Sequence, residues 1–302
     1  MDLEIRGCGT ALVTPFCRDG TIDVEALRRL VQFQLQEGTD FLVPCGTTGE
    51  TPALEKEEYL GVIRVVVQEA RGKVPIIAGA TSNNTRHVCE VVKEIAGLGI
   101  QGLLSAAPYY NKPTQEGLFQ HFEAIAESTS LPIILYNVPG RTASNIEPAT
   151  VARLSKITNI VGIKEASGSI VQQMELLNAV GPDFAVLSGD DSFTFPLMSL
   201  GGVGVISVAS NESPRAVTRL VHLLLDGKYD EARQLNSNLL PLMQVNFIES
   251  NPIPVKAALA MMGMIEEVYR LPLVPMKPEN RSKVEKVLIA QGLLKQDAKG
   301  AA

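Results

Sequence analysis

Short runs rich in Val, Ile, Leu and Ala recur along the first three-quarters of the chain. They lie at Cys8–Thr14, Phe41–Pro44, Pro75–Ala80, Gly102–Ala107, Pro132–Val138, Ile160–Ala166, Ala185–Ser188 and Val203–Ala209. They are continuously apolar rather than alternating, which is the pattern of strands buried on both faces. Between them the period changes. Asp23–Glu37 sets Leu27, Leu30, Val31 and Phe33 among charged residues, and Glu55–Ala70, Thr85–Leu98, Gln115–Ser128, Pro148–Ile157, Ser169–Val180 and Pro214–Leu225 read the same way. These are predicted amphipathic helices. Ser169 followed by Gln172 fits a capping box, and Gly38, Gly72, Gly99, Gly181 and Gly227 fall where helices should stop.

Eight strand–helix units in regular alternation predict a parallel α/β sheet, and eight such units favour closure into a (β/α)8 TIM barrel. The rival is an open doubly wound sheet, which carries a GxGxxG turn after its first strand. Gly7-Cys8-Gly9-Thr10 has no third glycine and no helix start. Beyond Gly227 the strand pattern ends, and Tyr229–Phe247, Pro254–Met262 and Pro278–Leu294 read as helices, with breaks at Asn251-Pro252 and Lys277-Pro278. The expected organisation is a barrel over residues 1–227 and a C-terminal helical extension over 228–294, packed on the barrel or used as a subunit contact. A polar tail over 295–302 is expected to be disordered.

The chain has 302 residues, 45% of them hydrophobic and none of them Trp, so a large core must rest on aliphatic side chains. A net charge of −6 speaks against nucleic acid or an anionic membrane as partner and leaves small anionic substrates open. Cys8, Cys17, Cys45 and Cys89 form no CxxC pair and have no His at metal-ligand spacing, so no metal is expected and the thiols read as reduced. The charged start, Met1–Gly7, does not read as a secretion signal, and no apolar stretch is long enough to span a bilayer. The protein is expected to be soluble and cytoplasmic.

In a barrel the chemistry gathers at the C-terminal ends of the strands, which narrows the search to three segments. In Ile160–Ser167, Lys164 lies near the end of the sixth strand and shares a face with Gly162 and Ala166, whose small size is expected to leave room beside the amine. Such a lysine is either a desolvated nucleophile or one that reaches solvent or a carboxylate. In Pro132–Thr142, Tyr136 on the fifth strand is placed to pass protons above Lys164 or simply to pack, and Arg141 in the next loop can grip a carboxylate or lie solvated. In Pro44–Glu50, Gly46-Thr47-Thr48-Gly49 offers backbone N–H groups and hydroxyls to a carboxylate, or is an ordinary turn. Asp190 and Asp191 read as helix-capping residues, and His87, His121 and His222 as surface or packing histidines.

Four motifs, each at a predicted strand end, change the balance: GTTGE at Gly46–Glu50, YYNKP at Tyr109–Pro113, YNVPGRT at Tyr136–Thr142 and GIKEASG at Gly162–Gly168. Together they resemble the dihydrodipicolinate synthase / N-acetylneuraminate lyase family, from about Gly9 to the C-terminal helices. The resemblance implies a (β/α)8 barrel with a helical C-terminal region and a class I aldolase-type lyase with no cofactor. It implies pyruvate bound as an imine on Lys164. By the resemblance Tyr136 matches the family's proton-shuttling tyrosine, Thr47 the threonine that links it to a second tyrosine, and Tyr110 that second tyrosine, which in the family reaches into the neighbouring subunit's site. The resemblance also implies that Thr48 and Gly46 contact pyruvate, that Ile206 turns its carbonyl to the site, and that the assembly is a homotetramer built as a dimer of dimers. Arg141 matches the arginine that holds L-aspartate 4-semialdehyde, which implies the diaminopimelate route to lysine. The alternative within the family is an aldolase acting on a 2-keto-3-deoxy sugar acid. A rival outside it is a silent barrel that binds a small acid.

The resemblance also implies a regulatory lysine pocket, here at Thr51, Lys56, Tyr59, Asn83, His87 and Tyr109. Lys56 and His87 bring cationic or neutral groups to a cationic ligand and the family's acidic contact is replaced, so inhibition by lysine is expected to be weak or absent.

Overall fold

The computed structural model describes residues 5–295, so of the predicted disordered tail all but Lys295 lies outside the described residues. Eight strands run parallel: β1 Gly7–Ala11, β2 Phe41–Val43, β3 Ile77–Gly79, β4 Gly102–Ala106, β5 Ile133–Asn137, β6 Ile160–Glu165, β7 Ala185–Ser188 and β8 Gly204–Ser207. Each sits inside a predicted run, or within one residue of it, and is trimmed at the ends where the ladder stops. Strands β1 and β8 pair, and the last seam, β2 to β3, is joined by the bridge Leu42–Ile76 and by Leu42 N–H donating to Pro75 O. The barrel expectation holds.

The connecting helices are α1 Val24–Glu37, α2 Lys56–Ala70, α3 Thr85–Ile95, α4 Gln115–Glu127, α5 Pro139–Thr142, α6 Pro148–Leu154, α7 Ile170–Ala179, α8 Thr194–Ser199 and α9 Pro214–Leu225. The pattern did not announce α5 and α8, because a helix of one or two turns is too short to show a period. Gly38 ends α1 in the left-handed conformation, as predicted. The capping box at α7 is half present. The Ser169 side chain accepts from Gln172 N–H, while the Gln172 amide turns instead to Asn145 and Glu165.

Register separates two faces. Phe41, Val43, Ile77, Leu104, Ile134, Tyr136, Leu187 and Ile206 fill the barrel interior, while Leu42, Ala78, Leu103, Ile133, Leu135, Ile163 and Val186 pack outward on the helices. Three further helices follow: α10 Tyr229–Val245, α11 Ile253–Met261 and α12 Pro278–Ala290. Leu242, Ala257 and Val284 of these share a core with Cys8, Val205 and Leu220, and Val255 and Leu259 pack with Val13, Leu30 and Val208. Each large aliphatic side chain buried there is worth about 1.5–3 kcal/mol, so the C-terminal helices are fastened to the barrel. Among the described residues no helix is long and apolar enough to cross a membrane.

Candidate active site

Lys164 is the fifth residue of β6 and is only 5% exposed. Its register partners are Tyr136 on β5 and Leu187 on β7, both in the barrel interior, so its side chain shares that face. The amine lies 4.3 Å from the centre of the Tyr136 ring. Among the described residues no carboxylate pairs with it; the neighbouring Glu165 points away, accepting from Asn137 and from Ser167 N–H. Room for the lysine stem comes from a glycine the sequence reading missed. A Cβ on Gly189, just after β7, would lie 3.0 Å from Lys164 Cγ and 3.1 Å from Cε. Gly162 does not provide that room, contrary to expectation: its missing Cβ is where Ala185 O of β7 sits, at 2.6 Å.

Tyr136 is buried, yet it also forms part of the wall of a cavity of about 720 Å³. Gly46, Thr47, Arg141 and Thr142 line the same cavity. Lys164 is not on that wall and touches it through the Tyr136 ring. Thr47 and Thr48 ride on a tight 3-10 turn, Thr47–Gly49, followed by Glu50 at φ 52° and a second such turn, Thr51–Ala53. Thr48 is buried, and Asn251 Nδ2 donates to its Oγ1 at 3.0 Å, which leaves the hydroxyl's own hydrogen to point elsewhere. Asn251 also takes a bond on its carbonyl from Arg141 Nη2, at 3.1 Å. One residue therefore braces two of the predicted substrate contacts. The sequence marked Asn251 only as a helix break, and nothing local signals its reach across 203 residues.

Ile206 is buried in the interior core beside Tyr136. Tyr110 is not brought to this chain's own site: it is 87% exposed, with φ 74°. Thr51, Lys56, Tyr59, His87 and Tyr109 line the same cavity. Asn83 does not; its carbonyl accepts from Asn111 instead. The cavity also carries acid, away from the position where the family's acidic contact is expected to be lost. Glu90 and Glu94 are on its wall, one and two helical turns beyond the motif positions, and Lys56 pairs with Glu94 at 2.9 Å. Tyr59 donates to Gly79 O, and burial pushes its phenol well above the ordinary range.

The remaining candidates are structural. Asp190 caps a short turn by accepting from Ser192 N–H. Asp191 is buried, accepting from the N–H groups of Val208 and Ala209 and from the Ser207 hydroxyl. His121 is buried against Thr85, and His222 meets Asp40. Among the described residues no group of His, Cys, Asp or Glu has the arrangement of a metal site.

The arrangement is that of a barrel with an amine, a phenol, two hydroxyls and a guanidinium gathered at its mouth. The family model described as "Dihydrodipicolinate synthetase family" matches residues 4–291. A 4-hydroxy-tetrahydrodipicolinate synthase of Koribacter versatilis is 56% identical over 294 residues, covering 97% of this chain and 98% of that one. The structure of the 4-hydroxy-tetrahydrodipicolinate synthase of Methylacidiphilum fumariolicum SolV superposes with a TM-score of 0.94 at 47% identity, covering 96% of each chain. A chloride-inhibited dihydrodipicolinate synthase from Acinetobacter baumannii, complexed with pyruvate, gives 0.95 at 43% identity over 96% of this chain and all of that one. Extent, identity and fold agree, and the chain belongs to the dihydrodipicolinate synthetase family.

Proposed function

We propose that this enzyme condenses pyruvate with L-aspartate 4-semialdehyde to give 4-hydroxy-tetrahydrodipicolinate, in the diaminopimelate route to lysine. The observation that carries the reading is Lys164: buried, without a carboxylate partner among the described residues, and against the ring of a tyrosine that lines a cavity. The Lys164 amine adds to the ketone carbon of pyruvate, and the carbinolamine loses water to form the imine. A proton leaves the pyruvate methyl group to give the enamine, whose carbon attacks the aldehyde. The aldehyde oxygen takes a proton, and the semialdehyde's own amine then displaces Lys164 and closes the ring. Tyr136 serves as the proton carrier. Thr48 and Gly46 hold the pyruvate end, with the Ile206 carbonyl facing it, and Thr47 relays the proton from Tyr136. Arg141, already on the cavity wall, receives the semialdehyde carboxylate. That guanidinium, together with the naming of the relatives, favours this substrate over a 2-keto-3-deoxy sugar acid.

The Tyr136–Thr47 relay is completed by Tyr110 of a second copy. An aromatic that is 87% exposed on a left-handed backbone conformation is poorly used in a monomer, which supports its insertion into a neighbour. A second apolar face, with Ile170, Val171 and Met174 of α7 and Leu200 after α8 exposed, supports a further contact and hence a dimer of dimers. The part of the cavity lined by Thr51, Lys56, Tyr59, His87 and Tyr109 is a degenerate regulatory pocket in which Lys56 already occupies Glu94, so lysine inhibits weakly or not at all.

The test is borohydride reduction in the presence of pyruvate followed by peptide mapping. A reduced pyruvyl adduct on Lys164 is expected. No adduct, or one on another lysine, overturns the assignment.

A further inference from the structure

The turn that carries Thr47 and Thr48 is held from outside the barrel. Glu50 follows it directly, in the left-handed region that a residue with a Cβ disfavours. Its carboxylate is wholly buried. Oε1 accepts from Lys256 Nζ of α11, and Oε2 accepts from the Arg270 backbone N–H at 3.2 Å. Lys256 is itself 0% exposed, with its ammonium 4.2 Å from the centre of the Phe16 ring and 5.2 Å from that of Tyr269. The Arg270 guanidinium, gripped by Glu58, also donates to Ala53 O at the end of the second turn. The same stretch of chain supplies Asn251 to Thr48.

An ion pair in this setting is a poor source of net stability, because desolvating two charges offsets most of their attraction. Its geometry, however, is demanding: a buried carboxylate with one partner on each oxygen has one place to be. Backbone bonds within the turn, Glu50 N–H to Thr47 O and Ala53 N–H to Glu50 O, pass that constraint to the residues on either side. From this we infer that the Lys256–Glu50 pair is the positioning device of the threonine turn, through which the C-terminal segment sets how tightly pyruvate is held. Neither residue touches substrate. The inference rests on the reading of Thr48 as a pyruvate contact and of Thr47 as its neighbour in the proton relay.

Two variants separate positioning from folding. Glu50→Asp keeps the charge balance but withdraws the carboxylate by one methylene. Glu50→Gln combined with Lys256→Met removes both charges and leaves no buried ion unpaired. In each, the KM for pyruvate is expected to rise on the order of 10- to 100-fold, since misplacement by about an ångström is enough for such an effect. The kcat at saturating pyruvate falls by less than KM rises: Thr47 of the relay rides on the same turn, while Lys164 and Tyr136 on their strands keep their places. Borohydride trapping at saturating pyruvate should still label Lys164 in both. If Glu50→Asp, which preserves the ion pair's charges, shows a wild-type KM for pyruvate, the inference is wrong. A loss of folded enzyme with unchanged KM in either variant also overturns it, since that outcome makes the pair purely structural. Failure of the wild type to trap pyruvate on Lys164 would instead strike the functional assignment itself.

Discussion

Lys164 is 5% exposed and Lys256 is 0% exposed, yet the two are held in opposite ways. Lys256 has the Glu50 carboxylate on its ammonium and two aromatic rings around it. Burial lowers its pKa, and the attraction of Glu50 opposes that shift. Among the described residues Lys164 has the Tyr136 ring beside its amine and no carboxylate partner, and that ring lines a cavity. Burial alone does not make a lysine a nucleophile. What matters is whether the lone pair, once the proton is gone, faces a partner or a space where a keto acid can stand. The two lysines sit on different layers for the same reason. The β6 residue points into the mouth of the barrel, where loops diverge, and the α11 residue points into a closed seam between helix and turn.

The sharpest way to break this contrast is to remove Lys164. Lys164→Ala is expected to abolish both pyruvate trapping and turnover, with the fold retained. If Lys164→Ala still traps pyruvate under borohydride, the reactive amine is elsewhere and the contrast is void. Next in size is Tyr136→Phe, which keeps the ring beside the amine and deletes the hydroxyl. Removal of a general acid–base group is expected to lower kcat by about 10²–10⁴-fold. Near-normal turnover of the Phe variant would leave Tyr136 as packing alone.

Half of this contrast could be read from the chain and half could not. Strand ends carrying GIKEASG, YNVPGRT and GTTGE pointed to Lys164, Tyr136, Arg141 and the threonine turn, because a strand fixes which side chains share a face and where its end must lie. The fold was legible for a similar reason: eight apolar runs separated by helical periods admit few topologies. Asn251, Lys256 and Gly189 were not legible. Asn251 and Lys256 act on partners 203 and 206 residues away, in a region where the pattern showed only helix and break. Gly189 matters through a Cβ it lacks, and the sequence suggested Gly162 instead because it lies on the lysine's own strand. Side-chain alternation gives direction within one strand but says nothing of which neighbouring strand closes the gap.

That error supplies a finer test. A methyl group at Gly189 would meet Ala166 Cβ at 2.7 Å as well as the lysine stem. Gly189→Ala is therefore expected to push the Lys164 side chain off its line of attack and lower kcat/KM by about 10²-fold, the scale of a displacement of about an ångström. The matching change at Gly162 meets β7 backbone, at Ala185 O, and should cost stability rather than pyruvate chemistry alone. If Gly189→Ala traps pyruvate at the wild-type rate, the space beside the amine is not set by this glycine.

The smallest expected effect comes from a third buried base, His121, which sharpens the comparison from the side of stability. It is 4% exposed, its Nδ1 lies 2.8 Å from Thr85 Oγ1, and burial pushes its pKa down to about 4. Like Lys164 it pairs with no carboxylate among the described residues, and unlike Lys164 its neighbours are a threonine hydroxyl and the edge of the Phe122 ring. In the unfolded chain the same group titrates near 6.5. Between about pH 6.5 and 4 the unfolded state therefore takes up a proton that the folded state refuses, so this residue's contribution to stability falls as the solution is acidified through that window, by at most about 1.4 kcal/mol per pH unit. Above pH 6.5 both states are neutral and the effect vanishes. Thermal unfolding of the wild type and of His121→Gln at pH 7, 6 and 5 would show it: the wild type should lose melting temperature more steeply on acidification than the variant, which has nothing to protonate there. Parallel slopes would mean that His121 is protonated in the fold, and that a buried base in this protein can keep its charge without a carboxylate beside it.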